Sequence, residues 1–294
     1  MPSRPRIALI GESAQAFGGS LVSAGRMTSL LDAWVDMVPI SFEHSHRAQD
    51  WAGDIRRIEA GGKPAYVITS ADSGAGNRLK PGLADQLHSM ELLVGSWAER
   101  TATVAKQENV DAIHAYGAYS TQAFIGAHAA ALIGKPLILT FCGQDLERKI
   151  FGYEHALIRQ AIDNAALISC KSEKAAAILR RLFKPGAEVR IIRNHVCETY
   201  FDPSATIERW GSDPIIGCFG EFRRIVGLDV LLRAYARLLE TRQITLALAG
   251  PIVAAETEFF NRQLEALPAN ARVWRMGRVP HRKMLAVYRA CNLV

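Results

Sequence analysis

Short apolar runs alternate with longer amphipathic segments along the first two thirds of the chain. The apolar runs predict strands at residues 6–11, 65–69, 112–115, 137–141, 167–170 and 189–192, and less clearly at 35–40. The amphipathic segments predict helices at 21–34, 84–106, 121–133, 154–164 and 173–183. Strands that are apolar on both faces and alternate with helices are typical of an α/β fold with a parallel sheet covered on both sides.

The alternation stops at residues 200–213, a polar stretch with proline and glycine, and then resumes. Strands are predicted at 215–219, 245–249 and 273–276, and helices at 228–241, 256–267 and 282–290. The break predicts a first domain at 1–200, a linker at 201–212 and a second domain at 213–294. The closing residues, CNLV, are typical of the start of another buried strand, and about 80 residues is short for such a domain. We therefore expect the second domain to be incomplete.

Composition narrows the class of protein. The 294 residues are 49% hydrophobic and 22% charged, and no apolar run approaches the roughly 20 residues of a membrane-spanning helix. The formal charge of +6 favours anionic partners, either phosphate ligands or a membrane surface. Because the basic residues are dispersed, nucleic-acid binding is not predicted. The five cysteines are scattered without metal-ligand spacing, so we expect no metal site and a reducing, cytoplasmic location.

Two candidate sites follow predicted strands of the first domain. Gly18 and Gly19 lie before a helix, where backbone N–H groups can approach a phosphate; a flexible turn explains the pair equally well. His114 and Tyr116 occupy alternate positions at the end of the strand 112–115 and therefore share a face. They could orient a substrate hydroxyl or stabilise developing charge, or His114 could be purely structural.

Two further polar residues follow later strands. Asp145 comes after a strand and Gly143 in the segment ILTFCGQDLER, where it could accept hydrogen bonds from sugar hydroxyls or cap the next helix. Asn194 and His195 close the last predicted strand of the first domain, where either fits a ligand contact or a hinge turn.

The segment GCFGEFRRIVGLDVLL carries two adjacent arginines between a strand and a helix. Guanidinium groups pair with phosphate oxygens and keep their charge at any working pH. Two cations at the electropositive start of a helix are costly unless an anion lies between them. We therefore predict a diphosphate site built by Gly220, Arg223, Arg224 and Gly227; the alternative is an exposed basic loop paired with Glu221.

The order and spacing of these segments resemble the family-4 glycosyltransferases of the GT-B fold. DAIHAYG is similar to the family motif Asp-x-x-His-x-His-Gly, KPLILTFCGQDL to the next strand and turn, and VRIIRNHVCETYFDP to the end of the first domain. FGEFRRIVGLDVLLRAYARL resembles the donor-binding turn and helix, and LALAG and MGRVPHRKMLAVYRA resemble the next two landmarks. The resemblance implies two Rossmann-like domains, each a doubly wound parallel sheet.

The resemblance also implies an activity. It implies the transfer of a sugar from a nucleotide-diphosphate sugar to a glycan or lipid-linked acceptor, with retained configuration and without a metal or other cofactor. It implies donor binding by Gly18, Gly19, Asn194, Gly220, Arg223 and Arg224, and catalytic roles for His114, Tyr116 and Asp145. A lipid-linked acceptor would bring the protein to the inner membrane face as a peripheral protein.

Several positions depart from the family pattern. Arg223 takes the place of the arginine that holds the diphosphate, but Val226 stands where the family has a lysine, and Arg224 is the candidate replacement. Tyr116 replaces the second histidine of the first-domain motif, and His195 replaces a glycine. The Glu-x7-Glu segment of the family is expected after Val294.

Two other functions stay open at this point. One is a catalytically silent, truncated GT-B protein that binds a nucleotide or a partner protein, which the truncation and Val226 favour. The other is a GT-B-like sugar-nucleotide epimerase. The sequence does not determine the nucleotide base, the sugar, the acceptor or the oligomeric state.

Overall fold

The computed structural model describes residues 4–11, 27–28, 30–45, 54–60, 63–71, 83–117, 120–147, 150, 155–194 and 201–294. Contacts divide the chain into two compact units, Met1–Asn194 and His195–Val294. Both units are built around a sheet of mainly or wholly parallel strands, so the predicted α/β fold class is confirmed. The domain boundaries at residues 200 and 213 stay a prediction.

The first unit contains an eight-stranded sheet within its described residues. Its strands are β1 (Arg6–Ile10), β2 (Asp36–Ser45), β3 (Asp54–Ala60), β4 (Lys63–Ala71), β5 (Ala112–Tyr116), β6 (Leu137–Phe141), β7 (Leu167–Cys170) and β8 (Glu188–Ile191). They are ordered β3-β4-β2-β1-β5-β6-β7-β8, and β3 alone among them runs antiparallel to its neighbour. β3 is an edge strand rich in charge, so its sequence contains no apolar run that would predict a strand.

Helices cover this sheet. They are α1 (Leu83–Gln107), α2 (Ser120–Ile133), α3 (Gln144–Glu147), α4 (His155–Asp163) and α5 (Glu173–Ile178), which continues as a π-helical turn over Leu179–Phe183. Ser172 caps α5 by accepting a hydrogen bond from the Ala175 N–H at 3.2 Å. The predicted helix at 21–34 lies mostly outside the described residues.

The two faces of the first sheet bury different clusters. Ala8 and Ile10 of β1 lie in the main core with residues of α1, α2 and α4. Leu9, between them, points to the opposite face and packs with Met37 and Tyr116 in a smaller cluster. Tyr116 is therefore on the face away from the main core.

The second unit contains a three-stranded parallel sheet ordered β11-β10-β9. Its strands are β9 (Ile215–Phe219), β10 (Thr245–Ala249) and β11 (Arg272–Gly277), and its helices are α6 (Leu228–Leu238), α7 (Thr257–Glu265) and α8 (Met284–Ala290). Short 3-10 turns at Arg224–Val226, Ala254–Glu256 and His281–Lys283 lead into these helices. Beyond β9, Ile216 forms a parallel bridge with Leu293.

Tyr235 joins the helix and the sheet of the second unit. Its ring is 1% exposed, and its hydroxyl donates to the Ile244 carbonyl and accepts from the Arg272 N–H, both at 2.9 Å. These bonds fix α6 against the starts of β10 and β11. In the described part of the chain, no helix combines the length and the apolar character needed to cross a bilayer.

Candidate functional site

Three polar side chains form a buried chain across neighbouring strands of the first unit. His114 Nε2 lies 2.7 Å from Thr140 Oγ1, which lies 2.6 Å from Ser169 Oγ. The three residues are 7%, 2% and 4% exposed, respectively. Buried polar groups of this kind are costly unless they are hydrogen-bonded, so each member of the chain depends on its neighbour.

The environment of His114 keeps its ring neutral. Burial and, to a smaller extent, the positive charge of Lys171 lower the pKa of His114 to about 4. At neutral pH the ring is therefore an uncharged hydrogen-bonding group. This state suits a residue that positions its neighbours better than one that shuttles a proton near pH 7.

Tyr116 lies beside His114 on the same face of β5. The two rings meet edge to face, with centroids 5.8 Å apart and planes inclined by 68°. Lys171, which follows β7 directly, places its Nζ 4.9 Å from the centre of the Tyr116 ring. A cation over an aromatic face is attracted to it, so Tyr116 is held from two sides.

Lys171 was not predicted from the sequence. It is half-buried, and the carboxylates of neighbouring elements bind other cations: Glu147 pairs with Lys174 at 2.7 Å, and Glu173 with Arg193 at 3.4 Å. Lys171 lies immediately after a buried strand, and the end of a buried strand is also the position that indicated His114 and Tyr116. The same criterion, used for the end of β7, would have predicted Lys171.

The other first-unit candidates are less closely grouped. The backbone places Asp145 second in α3, two residues after Gly143, which has a φ of +134°. Asn194 is exposed just after β8, and β6 and β7 lie between β8 and β5, a separation of roughly 14 Å at ~4.8 Å per strand. Gly18, Gly19 and His195 lie outside the described residues.

The predicted diphosphate loop follows β9 in the second unit. Gly220 has a φ of +139°, which favours glycine, and its N–H donates to the Ala249 carbonyl at 3.0 Å. The Arg223 guanidinium pairs with the Glu221 carboxylate, and the two side chains are 49% and 40% exposed. The ion pair between Arg223 and Glu221, which the alternative interpretation of the sequence includes, is thus present. Both side chains remain open to solvent.

Arg224 makes different contacts. Its backbone N–H donates to the Glu256 carboxylate at 2.6 Å, and its guanidinium lies over the Phe259 ring, 4.1 Å from the centroid. Both partners belong to the turn and helix after β10. Arg224 therefore ties the loop after β9 to α7, while Val226 is 56% exposed beside it.

Glycines end all three strands of the second sheet. Gly250 follows β10 with a φ of +146°, and its N–H donates at 2.7 Å to the carbonyl of Gly277, the last residue of β11. Beyond Gly220, Phe222 forms a parallel bridge with Ile252, and the Phe222 N–H donates to the Pro251 carbonyl at 2.9 Å. The loops after β9 and β10 are therefore joined along their backbones.

A cavity of about 270 Å³ opens at these strand ends. It is lined by Phe222, Leu248, Gly250, Pro251, Ile252, Thr257, Arg275 and Gly277. Ligands of doubly wound folds bind beyond the carboxyl ends of parallel strands, which is where this cavity lies. It adjoins the diphosphate loop, since Phe222 precedes Arg223.

Solved structures share this fold. A cyanobacterial structure, Anabaena Alr3699/HepE in complex with UDP and glucose, matches with a TM-score of 0.62 and 15% identity over 98% of this chain and 73% of its own. A structure of trehalose-6-phosphate from E. coli bound with UDP-2-fluoro glucose matches with a TM-score of 0.65 and 10% identity over 97% and 76%. The apo lipopolysaccharide outer core galactosyltransferase WaaB matches with a TM-score of 0.57 and 14% identity over 98% and 72%. The GT-B fold is confirmed.

The fold defines the class: the chain has the GT-B fold, and slightly less than half of it matches the profile of a glycosyltransferase family. Residues 58–198 match the profile described as Glycosyltransferase Family 4, which confirms the resemblance found in the sequence. No curated protein sequence matches the chain significantly.

Proposed function

We propose that the chain transfers a sugar from a nucleoside-diphosphate sugar to a glycan or lipid-linked acceptor with retained configuration. This proposal rests on the carboxyl ends of β9, β10 and β11 in the second unit, where glycines allow the backbones of neighbouring loops to join. There, Gly220 and the solvent-open Arg223 adjoin a cavity of about 270 Å³. The neighbours that were solved with UDP or UDP-glucose support a nucleotide-sugar donor.

In this proposal Arg223 holds the donor diphosphate. Its partner Glu221 is 40% exposed, and an exposed ion pair contributes only about 0–1 kcal/mol. A diphosphate offers more charge and more acceptor oxygens than one carboxylate, so it displaces Glu221 from the guanidinium. Arg224 keeps the loop in place through Glu256 and Phe259 and adds positive potential.

The acceptor binds to the first unit, near the end of β5. Tyr116, held by His114 and Lys171, contacts the acceptor, and Asp145 accepts hydrogen bonds from sugar hydroxyls. His114 acts through Tyr116 as a neutral positioning group, in keeping with its low pKa. The donor-binding roles of Gly18, Gly19 and Asn194 stay predictions from the sequence.

The reaction exchanges one glycosidic bond for another. The bond between the anomeric carbon and the diphosphate oxygen breaks, and the acceptor oxygen bonds to the same carbon on the same face. The acceptor proton passes to the departing diphosphate. Arg223 stabilises the charge that develops on the leaving group, which lowers the barrier without a metal ion.

Thermal unfolding with nucleoside diphosphates and their sugars tests the donor site. A ligand at about 100 times its dissociation constant adds roughly 2.7 kcal/mol of stability, which is a readable shift. We expect a selective shift, and release of nucleoside diphosphate from the matching sugar donor. No shift with any of these nucleotides would refute the donor site.

A second candidate function is nucleotide binding without sugar transfer. The exposed Val226 favours this non-catalytic function. The family that the sequence resembles has a lysine at this position, so the loop of this chain has one cation fewer. The same experiment separates the two functions. Binding of a diphosphate sugar without any release of its diphosphate, with glycan and lipid-linked acceptors supplied, would favour the non-catalytic function.

A further inference from the structure

A β-bulge shapes the rim of the cavity in the second unit. Leu248 of β10 pairs with Arg275 of β11, but the next pair is Ala249 with Gly277. Met276 is therefore an extra residue in β11. Bulges bend a strand and re-aim a side chain, and they are frequent beside functional sites. Here the bulge follows Arg275, which lines the cavity.

The lining of the cavity combines apolar walls with few polar groups. Phe222, Leu248, Pro251 and Ile252 form apolar surface. The Thr257 hydroxyl is directed to the Val253 carbonyl at 3.4 Å. Arg275 is exposed, carries only hydrogen-bond donors, and has no carboxylate partner within residues 201–294, all of which are described.

The cavity is placed to receive the base of a nucleotide held by the diphosphate loop. Phe222 lines the cavity and directly precedes Arg223 in the chain, and the backbone at Gly250 closely approaches that of Gly220. Its volume of about 270 Å³ is near the lower end of small-molecule sites, roughly 300 Å³, which suits a base better than a whole nucleotide sugar. A flat base matches the apolar walls and leaves its polar edge to Arg275.

We propose that Arg275 selects the nucleobase of the donor and favours bases with a carbonyl edge, guanine first and uracil second, over adenine. This rests on the proposed function, since it requires a nucleoside diphosphate in the second unit. A guanidinium binds the O6 and N7 atoms of guanine through two hydrogen bonds. Adenine presents an amino group in place of O6, so two donors would face each other.

Dissociation constants of GDP, UDP and ADP test this selection by calorimetry. The wild type is expected to bind GDP about tenfold or more tighter than ADP, since a bidentate pair discriminates at that level. Arg275→Ala is expected to remove the preference. Arg275→Gln is expected to shift it toward ADP, because a glutamine amide pairs with the N6 and N7 atoms of adenine.

Arg262→Gln is the matched control. Arg262 lies on α7 beside Glu258, outside the cavity lining, so the variant is expected to keep the wild-type order of affinities. Melting temperatures of the ligand-free variants show that each is folded. Equal affinities in the wild type, or a preference that survives Arg275→Ala, would overturn the role of Arg275 alone. Failure of the wild type to bind any of the three would overturn the donor site as well.

Discussion

A β-carbon on residue 250 would lie 1.7 Å from the carbonyl oxygen of Gly220 and 2.7 Å from its carbonyl carbon. No side chain fits in that space, so glycine at position 250 is what lets the ends of β9 and β10 approach. Both glycines also have a positive φ, of +146° and +139°. The loop predicted to bind the diphosphate and the rim of the cavity are therefore in direct backbone contact.

Replacement of Gly250 by alanine is expected to destabilise the second unit. The added methyl group meets backbone atoms that cannot move aside, and the positive φ is strained for alanine, so we expect a loss of about 2 kcal/mol or more. Urea unfolding measures this change. Gly186→Ala is the control, because nothing lies within 4 Å of its added β-carbon. Equal costs for the two variants would contradict the close approach.

The buried His114 predicts a dependence of stability on pH. Its pKa is about 4 in the folded chain and about 6.5 when unfolded, so the unfolded state binds more protons between these values. The contribution of His114 is complete above pH 6.5. It falls as the pH drops toward 4, by up to about 1.4 kcal/mol per pH unit.

His114→Gln removes this titration and is expected to flatten the pH profile of the unfolding free energy. His128→Gln, at an exposed position on α2, is expected to keep the wild-type slope. An NMR titration of the wild type gives an independent measure. A His114 ring that gains its proton near pH 6.5 would rule out the buried, neutral state.

Arg223 and Glu221 are expected to change nucleotide affinity in opposite directions. Arg223→Ala removes charge-assisted hydrogen bonds to the diphosphate, each about 1.5–3 kcal/mol, so the affinity falls roughly tenfold or more. Glu221→Gln removes the competing carboxylate, so the affinity rises. Calorimetry measures both. Arg233→Ala, which removes an exposed pair with Asp229 on α6, controls for general loss of positive charge. Unchanged affinity in Arg223→Ala would remove it from the donor site.

Tyr116→Phe is expected to lower turnover more than nucleotide affinity. The variant keeps the ring contacts with His114 and Lys171 and removes only the hydroxyl, which is proposed to contact the acceptor. The rate of nucleoside diphosphate release with acceptor present gives the turnover, and calorimetry gives the affinity. Equal turnover of variant and wild type would exclude a role for the hydroxyl.

The fold was largely predictable because most strands of these sheets are buried. Parallel strands covered on both faces appear as continuous apolar runs, and β5, β6, β7 and β10 all do. The edge strand β3, DIRRIEA, carries charges instead and escaped prediction. Helix ends shifted by a few residues: α6 ends at Leu238, three residues before the predicted end, because the end depends on local capping.

The candidate site was only partly predictable. The rule that ligands bind beyond strand ends pointed to His114, Tyr116 and Arg223. The bulge that places Arg275 at the cavity depends on the pairing of β10 with β11, whose partner residues are 27 positions apart in the sequence. No local sequence pattern encodes such a pairing. The same holds for the contact of Arg224 with Phe259, which joins two separate helical segments.

The anchoring of Arg224 also affects the thermodynamics of ligand binding. An arginine side chain loses about 2 kcal/mol of rotamer freedom when it is fixed, and Phe259 and Glu256 fix this residue as the chain folds. A diphosphate therefore meets a loop that is already ordered. Preorganisation of this kind leaves little conformational entropy to be lost on association, so a small anion can bind tightly through few contacts.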